Sequence, residues 1–138
     1  MDIHKEKEFV DRYVVKKMRK RILYELSKPA KRLEALSRFC HNYDSCIDER
    51  NIILKGKGIT DEKLKEIVKE YGEGNEGYVI CWNSQYDSTI LKTDIAIPIM
   101  RDEDMCMIFM SGDICIISTE QTQGSKEIVV LRNVTIYV

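Results

Sequence analysis

FVDRYVVKKMRKRILYELSKPAKRLEALSRFCH, residues 9–41, reads as two helices hinged at Lys28-Pro29. Residues 5–26 hold good helix formers and contain neither Gly nor Pro. Val10, Val14, Met18, Ile22 and Leu26 recur every fourth position, and Phe9, Tyr13 and Leu23 widen the stripe. A stripe of this width buries one helical face against a core. Arg12, Lys16 and Lys20 form a second row, with Lys17 and Arg21 beside it, so one helix is expected to carry these cations on a shared flank. Pro29 lacks a backbone N–H and biases Lys28 away from helical geometry, which ends the first helix and opens the second. In the second helix Ala30, Leu33, Leu36, Phe39 or Cys40, and Tyr43 are expected inside. Lys31, Arg32 and Arg38 are expected to point elsewhere.

Downstream, the polar trio Asn42-Tyr43-Asp44 ends the second helix, and Ile52-Ile53-Leu54 reads as a short strand. The Gly56-Lys57-Gly58 turn lacks the third glycine and the long preceding strand of a phosphate-binding fingerprint. Thr60 suits the cap of a third helix whose first residues, Asp61 and Glu62, match its positive end. Ile59 can staple to Leu64. Leu64, Ile67, Val68 and Tyr71 form the inner stripe, and Gly72 terminates it.

From Tyr78 the period changes to that of strands. Tyr78–Trp82 is one run, followed by a polar loop from Asn83 to Ser88. Residues 89–101 fit two descriptions. Alternation of Ile95, Ile97 and Ile99 around Pro98 favours an edge strand; the alternative is a short helix starting near Thr93. Met105–Met110 and Ile114–Ser118 form a hairpin across Ser111-Gly112-Asp113. Both runs are almost continuously apolar, as in central, covered strands. Thr122–Lys126 is a further turn, Glu127–Leu131 a further strand, and Val134–Val138 extends it. The expected fold is a single α+β domain over residues 1–138. It has an N-terminal helix pair and a third helix packed on one face of a mostly antiparallel sheet of four to five strands.

The block Arg12-Tyr13-Val14-x-Lys16, Arg21-x-Leu23, Glu25-Leu26-Ser27-x-Pro29-x-Lys31-Arg32 and Leu36-Ser37-Arg38-Phe39-Cys40-His41 resembles a group of small bacterial proteins of uncharacterised function. The resemblance implies a bacterial, cytosolic protein and carries over no catalytic residue. The first residues, MDIHKEKEF, lack the apolar core of a secretory signal, and no apolar run approaches a membrane span; a cytoplasmic location away from the membrane is the expectation.

Of the 138 residues, five are cysteines, at 40, 46, 81, 106 and 115, with no C-x-x-C. That pattern argues against a disulfide framework and a four-cysteine zinc site, and for reduced, buried thiols. The net charge of −1 hides a separation: residues 1–40 carry 12 Lys+Arg against 6 Asp+Glu, residues 41–138 carry 10 against 17. A basic helical layer beside an acidic remainder can guide a partner or favour self-association.

No spacing specifies a catalytic centre, a metal site or a cofactor. Cys40 and His41 are adjacent on a helix and point about 100° apart, so they make no dyad alone. Cys40, His41 and Cys46 fit no common zinc spacing. Asp102-Glu103-Asp104 reads as a solvated run.

Three functional readings follow. The first is a non-enzymatic protein-binding module, immunity-like or antitoxin-like, that masks another protein. The second is nucleic-acid binding through Arg12, Lys16, Lys17, Lys20 and Arg21, for which the bland alternative is a solvated face paired with Glu8, Asp11 and Glu25. The third is a small enzyme with a cleft where His41, Asp87 and Glu120 converge.

Overall fold

The computed structural model of the chain describes residues 1–102, 106–119 and 127–133. Three helices come first: α1 (Ile3–Tyr13), α2 (Arg19–Ser27) and α3 (Arg32–His41). Strand β1 (Ile52–Gly56) and helix α4 (Asp61–Tyr71) follow, then β2 (Glu76–Cys81), β3 (Ile90–Lys92) and α5 (Thr93–Asp102). The described chain ends with β4 (Met107–Ser111), β5 (Ile114–Ser118) and β6 (Ile128–Arg132).

The helix expected over residues 5–26 is two helices. Val14 is extended, with φ −89° and ψ 140°, and pairs with Ile47 in an isolated antiparallel bridge. The Val15 amide donates to the Cys46 carbonyl at 2.7 Å, the Asp48 amide to the Tyr13 carbonyl at 2.9 Å, and Arg19 Nε to the Val14 carbonyl at 2.9 Å. The backbone groups freed by the break are thus satisfied by a segment about 30 residues away and by a side chain. Tertiary hydrogen bonding overrides the local helical pattern.

All strand pairings are antiparallel, in the order β1-β6-β5-β4-β2-β3. The α+β class and the antiparallel sheet are as expected; the sheet has six strands rather than four to five among the described residues. Its two faces follow the strand period of two. Tyr78, Ile80, Ile108, Met110, Cys115, Ile117, Val129 and Leu131 pack with α1, α2 and α3. Val79, Cys81, Met107, Phe109, Ile114, Ile116, Ile128 and Val130 pack with α4 and α5. The third expected helix, α4, therefore lies on the face opposite the N-terminal helices, because both sheet faces are apolar and both need a cover.

The first core centres on Phe9 and Phe39, whose rings meet edge-on with centroids 5.4 Å apart. The hairpin forms as expected, with Met110 opposite Cys115 and Gly112 at φ +54° in the turn. Thr60 caps α4 by accepting from the Lys63 amide. Residues 93–102 are helix rather than edge strand, so the alternative reading is the correct one. Thr93, Ala96, Ile97 and Met100 are buried at helical spacing, and Pro98 is accommodated inside α5. Only Ile90–Lys92 of the preceding stretch forms an edge strand, on β2. All five cysteines are buried, and none is joined in a disulfide. The Thr122–Lys126 turn and the Val134–Val138 extension lie outside the described residues. Among the described residues, no helix is long and apolar enough to cross a membrane.

Candidate functional site

The buried face of α3 is Arg32, Ala35, Leu36, Phe39 and Cys40. It is rotated from the expected one: Leu33 is exposed, and Arg32 points inward. Arg32 and Glu6 form a two-pronged pair, Nη1 to Oε1 and Nη2 to Oε2, both 2.6 Å. Arg32 also donates to Asp87 through Nε at 2.9 Å and Nη2 at 3.0 Å, and to the Leu26 carbonyl at 2.9 Å. Burial acts to lower the Arg32 pKa, but the bonds to Glu6 and Asp87 outweigh it and hold the guanidinium charged. Tyr78 donates to Glu6 Oε2 at 2.6 Å; burial and that bond push its phenol up to about 12. The Cys81 amide donates to Asp87 Oδ1 at 3.0 Å.

This cluster ties α1, α3, β2 and the 83–88 loop together. Both oxygens of Asp87 are engaged by its own chain, which makes it a structural partner of Arg32. His41 is exposed at the opposite end of α3 from Arg32. At 1.5 Å per residue, those two positions lie about 13 Å apart along the helix axis. His41 and Asp87 are therefore not brought together, and Glu120 lies outside the described residues.

The expected basic flank is divided by the break at Val14. Arg12, at the end of α1, pairs with Glu8 at 2.6 Å and donates to the Gly112 carbonyl at 2.9 Å. Lys7 holds Asp11 at 2.7 Å. Glu25, nearly buried, accepts from Arg38 through Nε at 3.0 Å and Nη2 at 2.9 Å, with Arg21 weaker at 3.4 Å. The Arg38 hydrogen bonds hold the Glu25 carboxyl below its usual range. Of the expected flank, Arg12 and Arg21 are thus paired with Glu8 and Glu25, as the solvated-face alternative has it, while Asp11 is taken by Lys7. Lys16, Lys17 and Lys20 are exposed and form no ion pair among the described residues.

What α2 displays outward is a compact stripe. Ile22 and Leu26 face the core, and Tyr24 projects from the opposite side, 54% exposed. Lys20 and Arg21 lie four and three residues before Tyr24 on α2 and share its face; Lys17 precedes the helix, in the 3-10 turn Lys16–Met18, and Lys28 follows it. Lys28 Nζ stands 5.8 Å from the Tyr24 ring centroid. Tyr24 was missed in the sequence, although its spacing from Lys20 and Arg21 was visible there. Arg32, Glu6 and Tyr78 were missed too, and no local spacing joins them.

Two further recesses are polar or small. A trough of about 380 Å³ is lined by Lys5, Glu73, Glu76, Tyr78 and Ser111, among others. A cavity of about 180 Å³ opens between α4 and α5. Among the described residues, no group of three or more His, Cys, Asp or Glu is placed to hold a metal ion.

No protein-family model, curated protein or solved structure matches this chain.

Proposed function

We propose that this chain is a non-enzymatic binding module whose α2 stripe docks on an acidic surface of another protein. The observation that carries the reading is the stripe itself: Tyr24 stands exposed beside Lys20, Arg21 and Lys28, with Lys17 exposed in the turn before the helix. Tyr and Arg are, with Trp, enriched at interface hot spots, so Tyr24 and Arg21 are the expected anchors and the lysines supply steering charge around them. In a segment where Lys7, Arg12, Arg21, Lys31, Arg32 and Arg38 each have a carboxylate partner, Lys16, Lys17 and Lys20 have none. Charge of this kind speeds encounter and selects an acidic partner. A masking role of the immunity or antitoxin type, in the bacterial cytosol, belongs to the same proposal.

Nucleic acid is the second reading, favoured by the same three unpaired lysines, which would neutralise phosphates. The two are separated by replacing Tyr24 with Ala and, separately, Lys17, Lys20 and Arg21 with Glu, then assaying purified partner candidates and mixed RNA and DNA. A protein interface loses affinity in both variants. A phosphate interface loses it in the charge variant and keeps it in Tyr24→Ala, with a steep salt dependence.

A further inference from the structure

We propose that the cavity between α4 and α5 is a binding site for a small carboxylate with an apolar body, of about the size of benzoate. The cavity has a volume of about 180 Å³. An apolar cavity of about 150 Å³ lined by Leu, Ile and Phe takes up benzene. Its floor is aliphatic: Ile59 before α4, Leu64 on α4, Ile97 and Met100 on α5, and Ile128 at the start of β6. Leu64, Ile97, Met100 and Ile128 are buried members of the second core, so the floor is fixed by the packing of two helices on the sheet.

The mouth has the opposite character. It carries Lys57, Asp61 and Arg101. Arg101 Nη1 donates to Asp61 Oδ1 at 2.7 Å, and its Nε reaches Asp102 at 3.4 Å. That anchorage fixes the guanidinium at the rim and leaves Nη2 with no acceptor among the described residues. Lys57 is exposed and makes no hydrogen bond or ion pair among the described residues. One aliphatic floor beneath two donors of positive charge is the pattern that orients an amphipathic anion: the body displaces water below, and the carboxylate meets Lys57 and Arg101 above. Asp61 at the same rim disfavours a ligand with a second negative charge on its body.

The site is on the sheet face opposite α2, so it stands or falls independently of the docking proposal. The test is a methyl-resolved NMR titration of the full chain with sodium benzoate, benzyl alcohol and acetate in parallel. Benzoate is expected to shift the methyls of Ile59, Leu64, Ile97 and Ile128 saturably, with a dissociation constant of about 1 mM or tighter. Benzyl alcohol lacks the charge and acetate lacks the body; both are expected to bind about tenfold more weakly or worse. Replacing Lys57 and Arg101 by Gln, both exposed, should weaken benzoate about tenfold and leave the other methyl positions unchanged. Ile128→Phe should block the cavity; if that variant fails to fold, the Gln variants still decide. Absence of saturable shifts at those methyls up to about 20 mM benzoate overturns the site. Equal binding of benzyl alcohol, or unchanged affinity in the Gln variant, overturns the carboxylate assignment.

Discussion

Arg32 and Glu6 meet across the α1–α3 interface as a two-pronged ion pair with side chains 11% and 2% exposed. Each pays a desolvation cost that the pair and its neighbours Asp87 and Tyr78 offset through geometry. Removing one partner leaves the other buried and unpaired. Arg32→Met and Glu6→Gln should each lower the unfolding free energy by about 3–5 kcal/mol in urea titrations. The double variant should lose less than the sum of the singles, since neither charge is then stranded.

Glu25 and Arg38 provide a pH-dependent contact. The depressed carboxyl contributes stability at pH values above the usual glutamate pKa of about 4.3, and that contribution is lost as the pH falls through the lower folded value. Glu25→Gln should cost about 1 kcal/mol at pH 7 and progressively less toward pH 3. Paired urea melts at the two pH values check this. An equal cost at both would show that the charge on Glu25 is not what stabilises the contact.

Pro98 sits within α5 and removes an amide that would otherwise bond to the Asp94 carbonyl. Pro98→Ala should raise stability by about 1–2 kcal/mol, read as a higher urea midpoint. A lower midpoint would mean that the packing of Ile97 and Met100 depends on the distortion that proline imposes.

Gly77 lies in β2 where a β-carbon would stand 2.7 Å from the Met110 carbonyl oxygen and 2.7 Å from Phe109 Cζ. Gly77→Ala should cost more than about 2 kcal/mol, because the first obstacle is backbone of the neighbouring strand. Gly58, with nothing within 4 Å, is the control, and its alanine variant should change stability by less than about 0.5 kcal/mol.

The elements that were legible in the sequence are those whose determinants are local. Thr60, the Leu64-Ile67-Val68 stripe and Gly72 define α4 by themselves. Ser111-Gly112-Asp113 defines the hairpin, and its continuous apolar strands marked it as central and covered, although the helices were expected on one face only. The break at Val14 was not legible, since the groups that stabilise it belong to Cys46 and Asp48. Residues 93–102 carry two periods at once. Ile95, Ile97 and Ile99 alternate, while Thr93, Ala96, Ile97 and Met100 repeat helically; packing against the sheet selects the second. Arg32 looked like a surface cation because its acceptors lie 26 and 55 residues away. Of the candidate binding residues, Lys20 and Arg21 share one exposed face of α2, but its centre, Tyr24, is aromatic and was hidden among charges.

The most direct test of the docking proposal is site-specific photo-crosslinking. A photo-reactive amino acid is placed at position 24, and in a parallel chain at position 69 on α4, across the sheet. Each is irradiated in bacterial lysate at low and high salt, and the adducts are identified. An acidic protein joined to position 24, absent from position 69 and lost at high salt, is the expected result. No adduct at position 24, the same adducts from both positions, or nucleic acid in place of protein would contradict the account.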